Sequence, residues 1–311
     1  MALRFSIVVP TLDRRQMLLA ALASVRAQGW GDTEVIVVDG GSTDGTIEEL
    51  QAQSDVRLIT GPDRGVYDAF NKGISCAGGD VVGILNSDDC YEPGAFAAVA
   101  AAFTAQAQAV CGTALVVTDE RVVLAFDDEA AKSLASPRAT LIGSCAPNAR
   151  FFRREAMVRI GPFSMAYRYV SDRDWLTRWY EAGLATATIP NVVYRYRQHA
   201  ASLTFDADRR RELAIREELV RLARRWRNDA GASAETRRMA ALLEGRCVAT
   251  LAAAALRRGR VTECGHWLFE SDGRSSLEPL MTVCRGGIDW AAQRMPRWTA
   301  PRSSNRKFLP K

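Results

Sequence analysis

No stretch of 18 consecutive apolar residues occurs in this chain of 311 residues, although apolar residues make up 48% of it. The longest candidates, around 94–103 and 247–256, are short and rich in alanine, so we predict no helix that crosses a membrane. The N-terminal segment has a brief apolar run without a small-residue cleavage site, and we expect no signal peptide. A charged content of 25% is typical of an ordinary globular protein.

Cysteine pairs are also missing. The chain has seven cysteines, an odd number, and none of them belongs to a C-x-x-C pair. This pattern argues against both a disulfide framework and a structural zinc site. We therefore expect free, buried thiols in a protein of the reducing cytoplasm.

The common glycine-rich nucleotide motifs are absent as well. The first predicted strand runs into VVPTLDRR, which has no glycine, so the dinucleotide fingerprint G-x-G-x-x-G is excluded. The later stretch DGGSTDGT lacks the Lys-Ser/Thr pair of a phosphate-binding P-loop. Its acids occur only at Asp39 and Asp44, a spacing that also fails the calcium-binding EF-hand loop.

Charge is distributed unevenly along the chain. Residues 1–200 carry 19 Lys and Arg against 23 Asp and Glu, whereas residues 201–311 carry 22 against 13, a net charge of +9. A solvated helical surface explains such an Arg-rich region, and a basic face toward anionic lipid or nucleic acid is the alternative.

The first 110 residues contain a clear alternation of strand and helix. Four apolar segments, FSIVVPT, EVIVVDGG, VRLITGP and DVVGILNSDD, alternate with stretches of helical periodicity. Strands that are apolar on both faces are typical of a parallel sheet covered by helices. In such sheets a ligand binds outside the carboxyl ends of the strands. The sequence thus predicts an α/β fold with a ligand site at that edge.

Two adjacent acids mark this edge. Asp88 and Asp89 directly follow the fourth apolar segment, where a single acid would be enough for a turn. Two neighbouring carboxylates beside a nucleotide phosphate suit Mg²⁺ or Mn²⁺, which prefer oxygen ligands. A plain Asx turn is an equally open interpretation of the Ser-Asp-Asp sequence.

Four ordered blocks of sequence resemble those of a known enzyme family. The blocks are SIVVPTLDR, EVIVVDGGSTDGT, DRGVYDAFNKGISCAGGDVVGILNSDD and YVSDRDWLTRW. Together they resemble the inverting glycosyltransferases of family 2, of GT-A fold, close to those of colanic-acid and other exopolysaccharide biosynthesis. The resemblance implies a hexosyltransferase with a Rossmann-like, mostly parallel sheet flanked by helices in residues 1–205. Residues 206–311 have no counterpart, and we predict an Arg-rich helical region with a loose basic tail.

The resemblance assigns the ends of the first two strands to the nucleotide. Pro10 and Thr11 match positions that contact the base, and Asp39 matches the acid that hydrogen-bonds the uracil or ribose. A structural role, in which Asp39 caps its own loop through Ser42 and Thr43, is the alternative.

The helical block YDAFNKG is similar to the segment that borders the donor pocket in the family. It places Asp68, Asn71 and Lys72 at this pocket, and Arg64 just before it toward the diphosphate. Asp68 and Lys72 are also i,i+4 neighbours, so a helix salt bridge explains them equally well. A loop arginine such as Arg64 is often simply solvated.

The metal motif departs from the family pattern. Its D-x-D sequence corresponds here to Asn86, Ser87 and Asp88, so the first acid is an amide. The resemblance assigns Asn86 and Ser87 to the nucleotide and Asp88 to Mn²⁺ or Mg²⁺, with Asp89 in support. His199 matches a histidine that reaches the metal or the diphosphate, although a lone histidine is more often structural. With one charge fewer, we expect weak metal binding until the diphosphate supplies its own oxygens.

The acceptor side is assigned from the block YVSDRDWLTRW. Asp172 matches the catalytic base, and Ser171 stands where many relatives have Glu. For Asp174 we expect a structural role, paired with an arginine. The Q-x-x-R-W block of processive synthases is missing, which favours transfer of a single sugar.

The expected partners are a nucleotide-sugar donor, probed first as a UDP-sugar, and a saccharide or lipid-linked saccharide acceptor. For the C-terminal helices, docking on the catalytic domain is preferred over a homodimer or contact with an anionic membrane at its cytoplasmic face. No nucleic-acid partner is expected. A non-catalytic binding protein and a nucleotidyltransferase are the alternatives. The presence of Asp39, Asp88 and Asp172 together favours the glycosyltransferase.

Overall fold

A curved, nine-stranded sheet organises the computed structural model, which describes residues 3–118, 121–143, 147–199 and 209–269. The strands are β1 (Phe5–Thr11), β2 (Thr33–Asp39), β3 (Val56–Thr60), β4 (Val81–Ile84), β5 (Cys90–Tyr91), β6 (Ala109–Thr118), β7 (Arg121–Phe126), β8 (Arg150–Arg153) and β9 (Thr186–Arg197). Their order across the sheet is β3-β2-β1-β4-β8-β6-β9-β5, with β7 paired to β6. The predicted boundary at 205/206 and the predicted basic tail lie outside the described residues.

The helices alternate with the first strands as the sequence predicts. They are α1 (Arg15–Arg26), α2 (Thr46–Gln51), α3 (Val66–Ser75), α4 (Ala95–Ala102), α5 (Glu129–Ser133), α6 (Pro137–Leu141), α7 (Arg154–Ile160), α8 (Ser171–Glu181), α9 (Arg209–Asn228), α10 (Ala234–Arg257) and α11 (Val261–Phe269). Gly65 and Gly94 precede α3 and α4 with φ of 111° and 78°, values that favour glycine. Pro93 lies in the turn just before Gly94.

Parallel pairing is concentrated in the first four strands. β1 lies between β2 and β4, β2 pairs with β3, and all three ladders are parallel. The register aligns Thr11 with Asp39 and Asp39 with Thr60, so the polar strand ends meet at one edge. Beyond β4 the sheet continues through β8, which runs antiparallel to both β4 and β6. The α/β fold with a helix-flanked sheet is confirmed. In its far half β6 and β9 pair in parallel, whereas β5, β7 and β8 run antiparallel to their neighbours.

Two apolar layers cover the two faces of this sheet. Side chains of β1 alternate between them, because successive residues of a strand point to opposite faces. Phe5 and Ile7 pack in the layer that contains α1, while Val8 packs in the layer that contains α3 and α8. In the second layer Trp175 and Trp179 are buried against Phe152, with ring centroids 5.0 and 5.2 Å away, so both tryptophans are core residues.

The C-terminal helices dock on the rest of the chain. Val220, Leu222 and Trp226 of α9 form one buried cluster with side chains of α10 and with Leu141 and Val170 of the preceding region. The preferred interpretation of these helices, packing against protein, is therefore confirmed for α9 and α10.

Helix α10 is long and apolar enough to cross a membrane by length and composition, with a window of mean hydropathy 1.5. The criterion of an unbroken apolar run does not detect it, because Glu244 and Arg246 interrupt the sequence. Half of that window is buried inside the protein. Glu244 itself is buried and pairs with Arg224 and Arg227 of α9, at 2.9 and 2.6 Å. These contacts are those of a helix packed within a protein core.

The described cysteines are free thiols, as the sequence predicts. Cys111, Cys247 and Cys264 are buried, but Cys76 and Cys90 are only partly so. Expected burial is therefore wrong for the last two, which lie at the end of a helix and at the start of a two-residue strand. Cys145 and Cys284 lie outside the described residues.

Candidate active site

A buried polar pair joins the ends of β1 and β2. Asp39 is fully buried, and its Oδ1 accepts hydrogen bonds from the backbone N–H groups of Gly41 and Ser42, at 2.9 and 2.7 Å. Its Oδ2 and the Oγ1 of neighbouring Thr11 are buried without a hydrogen-bond partner among the described residues. Leaving such groups unpaired costs about 1–3 kcal/mol each. Asp39 thus caps its loop with one oxygen, while its second oxygen, next to buried Pro10, has no partner among the described residues.

A residue missed in the sequence holds this loop in place. Asp13 has a φ of 49°, which is uncommon for a residue with a side chain. Its N–H donates to Ser42 Oγ at 2.8 Å, and its Oδ1 accepts from the N–H of Thr43 at 2.7 Å. The structural alternative for Asp39, capping of Ser42 and Thr43, therefore holds for Ser42 only, and Asp13 binds the N–H of Thr43. Strained residues held by their surroundings are frequent at binding sites.

The start of α3 is held by an ion-pair cluster. Asp68 Oδ2 accepts from the backbone N–H of Arg64 at 3.1 Å and lies 3.3 Å from Lys72 Nζ. The Arg64 N–H bond, followed by Lys72, lowers the pKa of Asp68. The side chain of Arg64 is 74% exposed, so its guanidinium extends mainly into solvent. The helix salt bridge considered from the sequence therefore exists, and a donor-binding role for these three residues stays a prediction.

Asn71 connects α3 to the segment before α8. Its side-chain amide donates to Phe163 O and accepts from Phe163 N, at 2.9 and 2.8 Å. This pairing fixes residue 163 against the helix that borders the predicted donor pocket.

Asp89 is an internal anchor rather than a ligand-facing acid. It is fully buried and accepts from Tyr194 O–H at 2.7 Å, the N–H of Arg197 at 2.8 Å and Asn86 Nδ2 at 3.0 Å. Burial, and then the charge of Asp88, raises the pKa of Asp89 to about 7. The expected supporting role of Asp89 is consistent with these bonds. Asn86 is engaged by Asp89 in this arrangement, so its predicted contact with ribose is left to its remaining polar atoms.

The side chains of Arg14 and His199 converge on Asp88. Arg14 Nη1 forms an ion pair with Asp88 Oδ2, and His199 Nε2 lies 3.0 Å from the same oxygen. Asp88 is buried, as is Ser87 beside it. The two adjacent acids thus have different partners, Asp88 the Arg14 guanidinium and the His199 imidazole, and Asp89 three hydrogen-bond donors. Sequence reasoning missed Arg14, although its place just after β1 was the available signal.

The side chains around Asp88 include ligand atoms that a divalent metal ion could use. No group of three His, Cys, Asp or Glu side chains with metal-binding spacing occurs in the part of the chain that the structure describes. Asp88 and His199 nevertheless direct a carboxylate oxygen and an imidazole nitrogen at each other, and both are ligands for Mn²⁺. Two protein ligands fit an ion that takes its other oxygens from phosphate and water. Arg14 occupies the same carboxylate oxygen, so the ion and Arg14 would compete.

Asp172 lies in the first turn of α8, in contact with Tyr67 of α3. Its Oδ1 accepts from the N–H of Arg173 at 2.9 Å and from Tyr67 O–H at 3.0 Å. Burial raises the pKa of Asp172, and Arg173 and the Tyr67 hydrogen bond offset part of this effect. A carboxylate with a raised pKa is better matched to proton abstraction near neutral pH.

Asp174 is a structural residue, as the sequence predicts. It is buried, pairs with Arg178 at 3.1 Å and with Arg225, and accepts from Trp226 Nε1 at 3.2 Å. Its oxygens are committed to these partners, which removes it as an alternative base to Asp172.

Comparisons with known proteins agree with this architecture. The family model described as Glycosyl transferase family 2 matches residues 6–174. A PGL/p-HBAD biosynthesis glycosyltransferase of Mycobacterium bovis (strain BCG / Pasteur 1173P2) is 34% identical over 204 residues, which cover 62% of this chain and 77% of that protein. The chondroitin synthase of Pasteurella multocida (strain Pm70) is 33% identical over 94 residues, 29% of this chain and 10% of that protein.

Solved structures share the fold. A fragment of S. aureus TarS, solved in complex with UDP, has a TM-score of 0.60 at 18% identity and covers 92% of this chain and 88% of that chain. The mannosyltransferase PcManGT from Pyrobaculum calidifontis, solved with GDP-Man and Mn²⁺, has a TM-score of 0.57 at 18% identity, with 94% and 81% covered. At such identities the likeness concerns the fold alone.

Proposed function

This chain belongs to glycosyl transferase family 2, and on that basis we propose that it transfers one hexose, with inversion, from a UDP-sugar to a saccharide or lipid-linked saccharide acceptor. The product would belong to a cell-surface polysaccharide or glycan. The observation that carries the proposal is the pair of buried, unpartnered oxygens on Thr11 and Asp39. Uracil N–H and ribose hydroxyl groups are the donors that such acceptors require.

The diphosphate is proposed to bind beside Asp88. Arg14 and His199 converge there, and the Arg14 guanidinium carries a positive charge that suits phosphate oxygens. Asp88 and His199 would hold a Mn²⁺ or Mg²⁺ ion, which neutralises the charge that develops on a departing nucleoside diphosphate. Asp89 would keep Asp88 in place through its bonds to Tyr194 and to the backbone of Arg197. The Mn²⁺ in the mannosyltransferase complex supports this part of the proposal.

Asp172 is proposed to take the proton from the acceptor hydroxyl. Inversion requires this base on the acceptor side while the leaving group is stabilised on the other. Tyr67 directs its O–H at Asp172 Oδ1 and so fixes the rotamer of the carboxylate. Transfer of a single sugar is supported by the missing Q-x-x-R-W block.

The proposed setting is the cytoplasm, at the inner face of a membrane. Residues 201–311 carry a net charge of +9, which favours contact with anionic lipid. A lipid-linked acceptor would be presented at the same surface.

A panel of nucleotide sugars tests the proposal. The purified full chain is incubated with UDP-, GDP- and dTDP-sugars, with and without Mn²⁺, and hydrolysis and thermal stabilisation are recorded. We expect a UDP-sugar to stabilise the protein and to be slowly hydrolysed, and Asp39→Ala to lose both effects. Asp44→Ala, an exposed acid of the same loop, is the matched control. Stabilisation without hydrolysis or transfer would support the binding-protein alternative, and no stabilisation by any nucleotide would reject the nucleotide site.

A further inference from the structure

A buried acid of α9 holds the segment that leads into α8. Glu218 is 7% exposed, and its two oxygens accept from the backbone N–H groups of Arg168 and Tyr169, at 2.8 and 2.7 Å. Hydrogen bonds to an ionised acceptor are about twice as strong as neutral ones. Glu218 lies beyond residues 6–174, so it is not part of the family match. The carboxylate therefore binds a catalytic-domain segment from the C-terminal helices.

The same segment is held from its other side by α3. Tyr67 O–H lies 3.0 Å from Tyr169 O and 3.0 Å from Asp172 Oδ1. Tyr67 is itself fixed by packing against Phe163, with ring centroids 5.6 Å apart. Both acceptors lie on the segment that Glu218 holds, so a displacement of this segment would weaken the hydrogen bond from Tyr67 to Asp172.

Helix α9 has a second attachment to α8, just past Asp172. Arg225 and Trp226 both bind the buried carboxylate of Asp174. The contacts at Tyr169 and at Asp174 thus flank Asp172 on both sides. Small displacements of a reacting group reduce turnover strongly, by as much as about 100-fold for a shift of ~1 Å.

We propose that Glu218 is a positioning residue for Asp172, acting through the backbone of Tyr169 and the hydroxyl of Tyr67. On this view α9 supports the acceptor side of the site through this one carboxylate, without touching the reacting groups. The inference rests on the proposed function, in which Asp172 is the base.

The Tyr67 contact also connects Glu218 to the pH profile. The charged and titratable groups that face Asp172 are Tyr67 from α3 and Arg173 from its own helix. The Tyr67 hydrogen bond lowers the pKa of Asp172, so its loss would raise that pKa further. A purely structural weakening of the fold would leave this pH dependence where it is.

The test compares Glu218→Gln with Glu217→Gln. The amide introduced by Glu218→Gln has one acceptor oxygen and would lose one of the two N–H bonds. Glu217 is exposed on the same helix, and its substitution makes the same change of charge. We expect Glu218→Gln to lower kcat by about 10- to 100-fold, to leave the donor KM and the UDP affinity within about twofold, and to move the acidic limb of kcat upward. Glu217→Gln should match the parent in all four readouts.

Tyr67→Phe keeps the test decisive if the first variant does not fold. It removes only the hydroxyl, and we expect the same upward movement of the acidic limb. In the double variant the two effects should be less than additive, because both act on one path. An unchanged pH limb in Tyr67→Phe, or a parent-like kcat in Glu218→Gln, would overturn the inference. If Asp172→Asn also transfers at the parent rate, the proposed base is wrong and the inference falls with it. If Asp172→Asn is inactive, Asp172 remains the proposed base, and such a result rejects only the positioning role of Glu218.

Discussion

His199 Nε2 lies 3.0 Å from Asp88 Oδ2, although 111 residues separate the two in the chain. The sheet produces this contact, because the end of β9 pairs with β5, which directly follows Asp88 and Asp89 in the chain. A carboxylate and an imidazole meet there at the same edge as the unpaired oxygens of Thr11 and Asp39.

Asp88→Ala should abolish metal-dependent binding of the nucleoside diphosphate. The substitution removes the carboxylate that ends the core strand and that would hold the ion. Titration calorimetry of UDP with and without Mn²⁺ measures the effect, with Asp80→Ala, an exposed acid at the other end of β4, as the control. If the parent and Asp88→Ala bind UDP with equal affinity, each with and without Mn²⁺, the metal site is rejected.

Arg14→Ala should increase the affinity for Mn²⁺ in the absence of nucleotide. Arg14 neutralises the Asp88 oxygen that the ion would use, and two cations at one carboxylate repel each other. We expect tighter binding by about tenfold, measured by electron paramagnetic resonance of free Mn²⁺. Arg15→Ala removes the same charge from the next, more exposed position and should leave the Mn²⁺ affinity unchanged. Weaker Mn²⁺ binding in Arg14→Ala would mean that the guanidinium assists the ion.

Asp172→Asn should lower sugar transfer by about 10²- to 10⁴-fold, the usual effect of losing a general base. The amide keeps the shape of the side chain but cannot accept a proton at neutral pH. Because the base acts on the acceptor, UDP affinity should stay within a few-fold of the parent. Single-turnover transfer and UDP calorimetry on the same preparation separate the two effects, and transfer near the parent rate would show that another group takes the proton.

The acidic limb of kcat/KM in the parent enzyme should have an apparent pKa above 3.8, the ordinary value for Asp. The reason is that burial raises the pKa of Asp172. The carboxylate works as a base only when deprotonated. Activity is therefore present above the raised pKa and is lost as the pH falls through it. A pH profile at constant ionic strength checks this, with circular dichroism at each pH as the control for unfolding. An acidic limb at or below the ordinary value would contradict it.

The Arg-rich region should bind anionic vesicles in a salt-dependent manner. Its net charge of +9 is separate from the acidic residues 1–200, and screening over a Debye length of about 10 Å at 0.1 M salt weakens such attraction. Sedimentation with phosphatidylserine-containing vesicles, at low and high salt, measures the binding. Equal sedimentation with neutral phosphatidylcholine vesicles would leave only a solvated surface.

The nucleotide half of the site was predictable because it depends on local patterns. Strand periodicity and the parallel-sheet rule place Thr11, Asp39 and Asp88 at one edge without any knowledge of their contacts. Their functional assignments came from the resemblance. The sequence presented loop capping and nucleotide binding by Asp39 as alternatives. The observed contacts show that Oδ1 caps the loop, while Oδ2 has no partner among the described residues.

The supporting residues were not predictable in the same way. Arg14 reaches Asp88 across 74 positions, and Tyr67 reaches Asp172 across 105. No periodicity encodes such pairs, since they depend on how two elements are placed in three dimensions. Glu218 was further hidden among the charged residues of α9, where a buried acid and a solvated acid look alike in the sequence.

The attachment of α9 to α8 implies an order in which parts of this protein fold during synthesis on the ribosome. β1–β4, which carry the nucleotide oxygens, are complete once residue 84 has emerged, and β9 follows at residue 197. Domains generally begin to fold as the chain leaves the ribosome, N-terminal part first. The segment around Tyr169, however, can form its hydrogen bonds to Glu218 only after residue 218 has been synthesised. Asp174 likewise gains its ion pair with Arg225 only after residue 225. In terms of the proposed function, the strands of the donor side would therefore form before the acceptor side is fixed.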